Sequence, residues 1–141
     1  MSDKEWSRRS MIYGQAASGA AGNVKTPVID MALFESVVFM AIASATNSSN
    51  HLGFRMSTAS ASGGMSDATG ETSGISTGVH VLDVYRPTKR YVQGRYSASG
   101  ATSPAVGLIG VAYGARVMPT TQPTGTNVKR LYSPGSGTAT G

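Results

Sequence analysis

The chain of 141 residues contains no cysteine. Disulfides and thiolate metal sites are excluded, and nothing about the redox compartment follows. Charge is also scarce: Asp, Glu, Lys and Arg make up 13% of the residues, about half the usual share. That excludes a charge-laced helical protein and a highly charged disordered one. Acidic residues are missing altogether after Asp83. The longest apolar run, Val37 to Ala43, is far short of the ~20 residues that span a bilayer. The first ten residues, MSDKEWSRRS, carry charges with no apolar stretch behind them. No signal peptide is expected, and the protein is expected to be soluble and unexported.

Small residues are plentiful instead, with 18 glycines and abundant Ser, Thr and Ala. The length fits one domain with a real core. The composition suits β structure with small side chains and long connections. Residues 1–83 hold five Lys/Arg and seven Asp/Glu, a sum of −2, whereas residues 84–141 hold seven Lys/Arg and no acid, a sum of +7. Such one-sidedness favours an acidic partner, either nucleic acid or an acidic protein surface. A scattered set of solvated arginines is the plainer alternative.

Residues 1–26 read as an N-terminal arm in which Trp6, Met11, Ile12 and Tyr13 precede the small-residue run QAASGAAGN. Trp6 is an anchor, either on its own domain or on a partner. Residues 27–118 carry the strand signals. PVIDMALFESVVFMAIASA reads as two strands around a turn at Leu33-Phe34-Glu35. A helix through 30–45 stays open on period alone, although the β-branched content favours strand. HLGFRM at 51–56 alternates as a half-buried strand does, and 57–78 is a long polar loop or a weak hairpin. Strands follow at 79–84, 89–96 and 106–115, with Pro87 as an interruption. Residues 119–141 read as a Pro/Gly/Thr-rich tail with one sticky island, Val128 to Tyr132. Five to seven short strands with turns between them predict an all-β sandwich, jelly-roll-like, or a barrel. Ordering the arm and tail costs entropy, which contacts from a neighbouring subunit would offset.

Catalytic chemistry has thin support. His51 and His80 each sit inside a strand pattern, where a structural role is expected. The serines lie mostly in low-complexity loops, and no G-x-S-x-G elbow is present. The acids show no metal-ligand spacing, and the glycine-rich 135–141 has no helix behind it to hold a phosphate. The expectation is a non-enzymatic protein with no catalytic residues, cofactor or metal.

The most informative stretch is DVYRPTKRYVQGRY at 83–96. On a strand, Lys89, Tyr91, Gln93 and Arg95 share one basic face, while Arg90, Val92, Gly94 and Tyr96 share the other. The second face has an apolar centre and is expected to meet the core, with Arg90 at its rim. Tyrosine and arginine together suit a protein interface. They also suit a single-stranded nucleic-acid platform, or an edge strand kept soluble by its cations.

Ile29-Asp30, Glu35-Ser36-Val37, Pro87-x-Lys89-Arg90-Tyr91 and Tyr113-Gly-Ala-Arg116, in this order over residues 26–120, resemble the head cement or decoration proteins of short-tailed bacteriophages. The resemblance implies a β-rich, often jelly-roll protein that sits on the capsid exterior, is assembled in the host cytoplasm, and clamps neighbouring major capsid subunits. It implies a homo-oligomer, with a dimer favoured over a trimer, and neither a membrane partner nor direct nucleic-acid contact. On this reading the partner-binding residues are Trp6, Arg8, Arg9 and Tyr13 in the arm, Arg86, Lys89, Arg90, Tyr91 and Arg95 in the basic strand, and Lys129, Arg130 and Tyr132 in the tail. The alternative is a single-stranded nucleic-acid-binding β-barrel that uses Arg86, Lys89, Arg90, Tyr91 and Arg95.

Overall fold

A computed structural model of the chain describes residues 9–16, 24–44, 47–59, 64–67, 72–75, 77–97, 105–116, 120–123 and 126–127. These form ten strands: β1 (Met11–Ala16), β2 (Val24–Lys25), β3 (Ile29–Asp30), β4 (Ser36–Ala43), β5 (Asn47–Ser57), β6 (Ser66–Asp67), β7 (Thr72–Ile75), β8 (Gly78–Tyr85), β9 (Tyr91–Ser97) and β10 (Ala105–Tyr113). A 3-10 turn, Met31–Leu33, joins β3 to β4, two residues ahead of the turn expected at Leu33-Phe34-Glu35, because Asp30 caps it through Ala32 N. All strand pairs among the described residues are antiparallel.

The strands make two sheets. The first has the order β1-β10-β4-β8. In the second, β2 and β3 both pair with β9, at Tyr96/Arg95 and Val92/Tyr91, so they act as one interrupted strand. On the other side of β9 lies β5, and β6 and β7 share its far edge. Eight strand positions therefore remain, four in each sheet. The chain passes repeatedly from one sheet to the other, as in a jelly roll.

Side-chain alternation sets the core. In β4, Val37, Phe39, Ala41 and Ala43 are buried, while Val38, Met40 and Ile42 point away. This strand is apolar on both faces, which is why its sequence reads as a continuous run. In β9, Val92, Gly94 and Tyr96 face inward, as the alternation predicts. The buried Tyr96 hydroxyl accepts from Asn50 Nδ2 at 3.1 Å, which satisfies a polar group that would otherwise be costly to bury.

The Phe39 ring joins the two sheets. A Cβ on Gly94, in the facing sheet, would lie 2.4 Å from Phe39 Cδ1. A Cβ on Gly110, directly opposite Phe39 on β10, would lie 3.0 Å from Cε1. The ring fills the volume that both glycines leave empty.

The arm boundary read at residue 26 needs correction. Residues 11–16 pair along their whole length with β10, from Met11 opposite Ala112 to Ala16 opposite Gly107. Val24 and Lys25 pair with β9. Between β2 and β3, Thr26 Oγ1 accepts from Gly94 N at 3.0 Å, which holds the break against the sheet. The sandwich thus begins before residue 27. The strand signal in MIYGQA is weak because it has one β-branched residue and a Gly; only pairing with β10 makes it a strand. The tail likewise starts on the sandwich: Gln122 Nε2 and Thr120 Oγ1 donate to Ser10 O, and Thr126 Oγ1 donates to Ile12 O.

Replacing Gly94 with Ala is expected to destabilise the fold by about 1–3 kcal/mol, as overpacking does. A methyl group at Gly14, on β1, would meet no heavy atom within 4 Å, so Gly14→Ala should change stability by no more than about 0.5 kcal/mol. Urea titrations of both variants check the contrast; equal effects would show that the Phe39 contact is not limiting.

Candidate functional site

Three connections meet at one end of the sandwich: residues 31–35 between β3 and β4, residues 86–90 between β8 and β9, and residues 114–116 after β10. Main-chain bonds lock them together. Met31 N donates to Arg90 O at 2.8 Å, Arg86 N to Glu35 O at 3.1 Å, and Arg116 N to Leu33 O at 2.8 Å. Between them lies an open cleft of about 520 Å³. Met31 and Phe34, both buried, form its apolar base. Arg86, Lys89, Arg90 and Arg116 line it.

Two of these guanidiniums are fixed. Arg90 donates from Nε and Nη2 to the two Asp30 carboxylate oxygens, each at 2.9 Å, the bidentate geometry that orients a guanidinium best. Asp30 Oδ1 also accepts from Ala32 N at 3.0 Å and so caps the 3-10 turn. Arg86 Nε donates to Glu35 Oε1 at 2.9 Å, and Tyr85 OH donates to the same oxygen at 3.0 Å. Each guanidinium carbon also lies 5.1 Å from an aromatic centroid, Arg86 over Tyr85 and Arg90 over Tyr91. Arg86 has φ +51°, a left-handed conformation that non-glycine residues seldom adopt. Pro87 follows it and disfavours the right-handed helical alternative.

The pairs are exposed, so they contribute orientation more than stability. The Arg90 hydrogen bond holds the Asp30 carboxyl below its ordinary range, against a smaller opposing effect of burial and with help from Ala32 N. For Glu35 the Tyr85 hydroxyl is the larger cause and Arg86 the next; the pKa is again lowered. Among the described residues, Lys89 and Arg116 have no ion-pair partner. Four cations against Asp30 and Glu35 leave two positive charges in excess.

The cleft gathers Arg86, Lys89 and Arg90 from the sequence-predicted set, with Tyr91 beneath Arg90. Arg95 lies further along β9, half-buried and opposite Lys25 and Gly53. Arg9 is exposed ahead of β1. Tyr13 packs against the core edge of its own domain, and burial raises its pKa. Trp6, Arg8, Lys129, Arg130 and Tyr132 lie outside the described residues. The continuous basic face expected at 89, 91, 93 and 95 is interrupted. β9 begins at Tyr91, so Lys89 precedes it. Gln93 is buried, and its Nε2 donates to Thr26 O at 2.9 Å because the β2–β3 break folds over it. Sequence reasoning gave no site role to Asp30, Glu35, Tyr85 or Arg116. The partners of the first three lie far away in the chain, and Arg116 reaches the cleft only through the main-chain bond of its N to Leu33 O; no spacing rule reports such contacts.

No protein-family model matches the chain, and no curated protein matches it. Among solved structures it is similar to the PBSX exported protein XepA, with a TM-score of 0.56 and 18% identity over 91% of this chain. The chain spans 44% of XepA. That likeness concerns the fold. PirA superposes with a TM-score of 0.38 at 14% identity, over 79% of this chain and 99% of that one, too loosely to argue from.

A carboxyl whose folded pKa is depressed binds its proton less readily in the folded chain than in the unfolded one. Each pair therefore favours the fold above the ordinary carboxylate range and is lost as pH falls through the folded pKa. Carbon-detected NMR titration should place Asp30 and Glu35 below ordinary carboxylates. Arg90→Ala should move Asp30 up, and Tyr85→Phe should move Glu35 up. Unchanged midpoints in both variants would show that the pairs do not form in solution.

Proposed function

We propose that this chain is a structural protein of a bacteriophage head, a cement or decoration protein that binds the capsid exterior and braces contacts between major capsid subunits. The observation that carries the reading is the composition of the cleft. The four stretches on which the family resemblance rests supply Asp30, Glu35, Lys89, Arg90 and Arg116, and all of these meet at the one cleft or pair across its rim. A cationic rim over an apolar base suits an acidic ridge on a protein surface. Arginine and tyrosine are enriched at such contacts. The likeness to XepA supplies the scaffold and no more.

In this reading the protein acts without catalysis. Arg86 and Arg90 are held in place before contact, so little ordering entropy is lost when they meet carboxylates. Lys89 and Arg116 are the cations left to pair with the partner. A shell repeats a modest contact many times, and linked contacts raise attachment far above one contact's affinity. The nucleic-acid alternative is less well served. Both tyrosines at the cleft already carry a guanidinium over the ring, which leaves that face covered against base stacking.

The test is co-sedimentation with DNA-free shells of the matching phage. Pelleting should saturate at a fixed ratio to the major capsid protein and survive ~0.15 M salt. Lys89→Ala with Arg116→Ala should weaken attachment at least about tenfold, or ~1.4 kcal/mol, while thermal stability changes little, because neither side chain has an ion-pair partner among the described residues and Arg116 gives Glu35 only a minor, exposed charge interaction. Removing residues 1–8, which spares β1, tests Trp6 and Arg8 separately and should also weaken it. No pelleting, together with oligonucleotide binding that collapses steeply with salt, would replace this reading with the nucleic-acid one.

A further inference from the structure

The three connections at the cleft form a braced frame. In the first sheet β4 lies between β10 and β8, so the connection that enters β4 runs between the two that leave β8 and β10. Residues 31 and 35 both bond to the 86–90 connection, and residue 33 bonds to residue 116. One central turn is thus flanked on both sides, at about 5 Å per strand spacing. The turn supplies the apolar groups: Met31 and Phe34 form the base, and Leu33, on the same turn, is 54% exposed. The flanks supply the cations, with Arg86, Lys89 and Arg90 on one connection and Arg116 on the other.

Hydrogen-bonding capacity in the cleft is one-sided. Both Asp30 oxygens accept from Arg90, and Glu35 Oε1 accepts from Tyr85 and Arg86. The Thr88 hydroxyl is turned to Met56 Sδ at 3.8 Å. Spare capacity lies with the donors. Arg86 bonds Glu35 through Nε, so its Nη groups remain, and Arg90 keeps Nη1. Lys89 and Arg116 have no ion-pair partner among the described residues. A matching ligand accepts hydrogen bonds, carries negative charge and covers apolar surface between its charges. The volume of about 520 Å³ lies within the range of about 300–1,000 Å³ found for ligand sites. A lone inorganic anion would leave most of it empty.

We infer that the cleft binds a short extended segment of another protein chain, in which one large aliphatic or aromatic side chain is flanked on both sides by Asp or Glu. The apolar side chain sits over the base formed by Met31 and Phe34. Carboxylates on one side meet Arg86 and Lys89, and those on the other meet Arg116. Exposed charge pairs contribute little singly, so the apolar anchor supplies a large share of the affinity, about 1.5–3 kcal/mol for a buried Leu or Phe. The frame and the two internal ion pairs hold the site before contact, which keeps the ordering cost low. This inference rests on the reading of the cleft as a protein-binding surface. It narrows the acidic ridge named there to a linear segment that binds even when detached from its protein.

NMR titration of the isotope-labelled whole chain tests it. The probe is an end-blocked peptide of one Leu with two Asp on either side. Binding should saturate with a dissociation constant below ~1 mM, and amide shifts should concentrate at residues 31–35, 86–90 and 114–116. Exchanging the peptide's Asp for Asn, or its Leu for Ala, should each weaken binding at least about tenfold. Lys89→Ala with Arg116→Ala should do the same while melting changes little. Lys25→Ala removes an exposed cation outside the cleft and should leave binding unchanged. Absence of saturation overturns the inference, as does indifference to the loss of Leu. A loss in Lys25→Ala equal to that of the double variant also overturns it, because net charge alone would then explain the binding. So does displacement of the peptide by inorganic phosphate or oligothymidylate at lower concentration than by unlabelled peptide. Pelleting on shells that depends on Lys89 and Arg116, without peptide binding, overturns this inference and leaves the capsid reading standing. Peptide binding without pelleting does the reverse.

Discussion

The packing of Phe39 between two glycines is the contact on which the sandwich depends. Facing sheets normally stand about 10 Å apart, with interdigitating side chains between them. Here one aromatic ring occupies the space that Gly94 in the facing sheet and Gly110 in the neighbouring strand leave open. Ile29 also reaches the Gly110 position, so the β3 end of the second sheet packs into the same contact. Close packing of this sort tolerates little change of volume, which fixes the spacing between β4, β9 and β10 together.

That spacing determines the cleft. The connections that line it leave from the ends of β3, β8 and β10, strands that the core holds at set distances. Main-chain bonds between residues 31, 33, 35, 86, 90 and 116 then close the three connections on one another. The ion pairs come last in this hierarchy. They are exposed and individually weak, but they act on guanidiniums whose backbones are already placed, and so they set direction at small energetic cost.

Among the described residues the two outer strands of the first sheet differ in surface chemistry. The chain bonds back along β1 through Thr120, Gln122 and Thr126, whereas β8 presents the exposed Val79 and Val81 on its outer face. The cleft adjoins this strand, because Tyr85 ends β8 and supports Glu35. One end of β8 thus serves a polar, charged surface, and its length presents an apolar one.

Much of the architecture was legible in the sequence. The strands read at β4, β5, β8, β9 and β10 and the break at Pro87 correspond to observed elements, while the turn before β4 falls at Met31–Leu33, two residues ahead of its expected place, because side-chain period and backbone restriction act locally and turn position depends on tertiary pairing. The inward set Val92, Gly94 and Tyr96 follows from the same period. The membership of residues 11–16 in the sandwich was not legible, since six residues with a glycine acquire strand geometry only when β10 supplies the ladder. Nor was the burial of Gln93, which depends on Thr26, 67 positions away. Residue order and composition were enough to specify a β sandwich with a basic second half. Which cations converge and which carboxylates hold them were settled by the folded chain alone, because these features rest on contacts between distant segments that local chemistry does not encode.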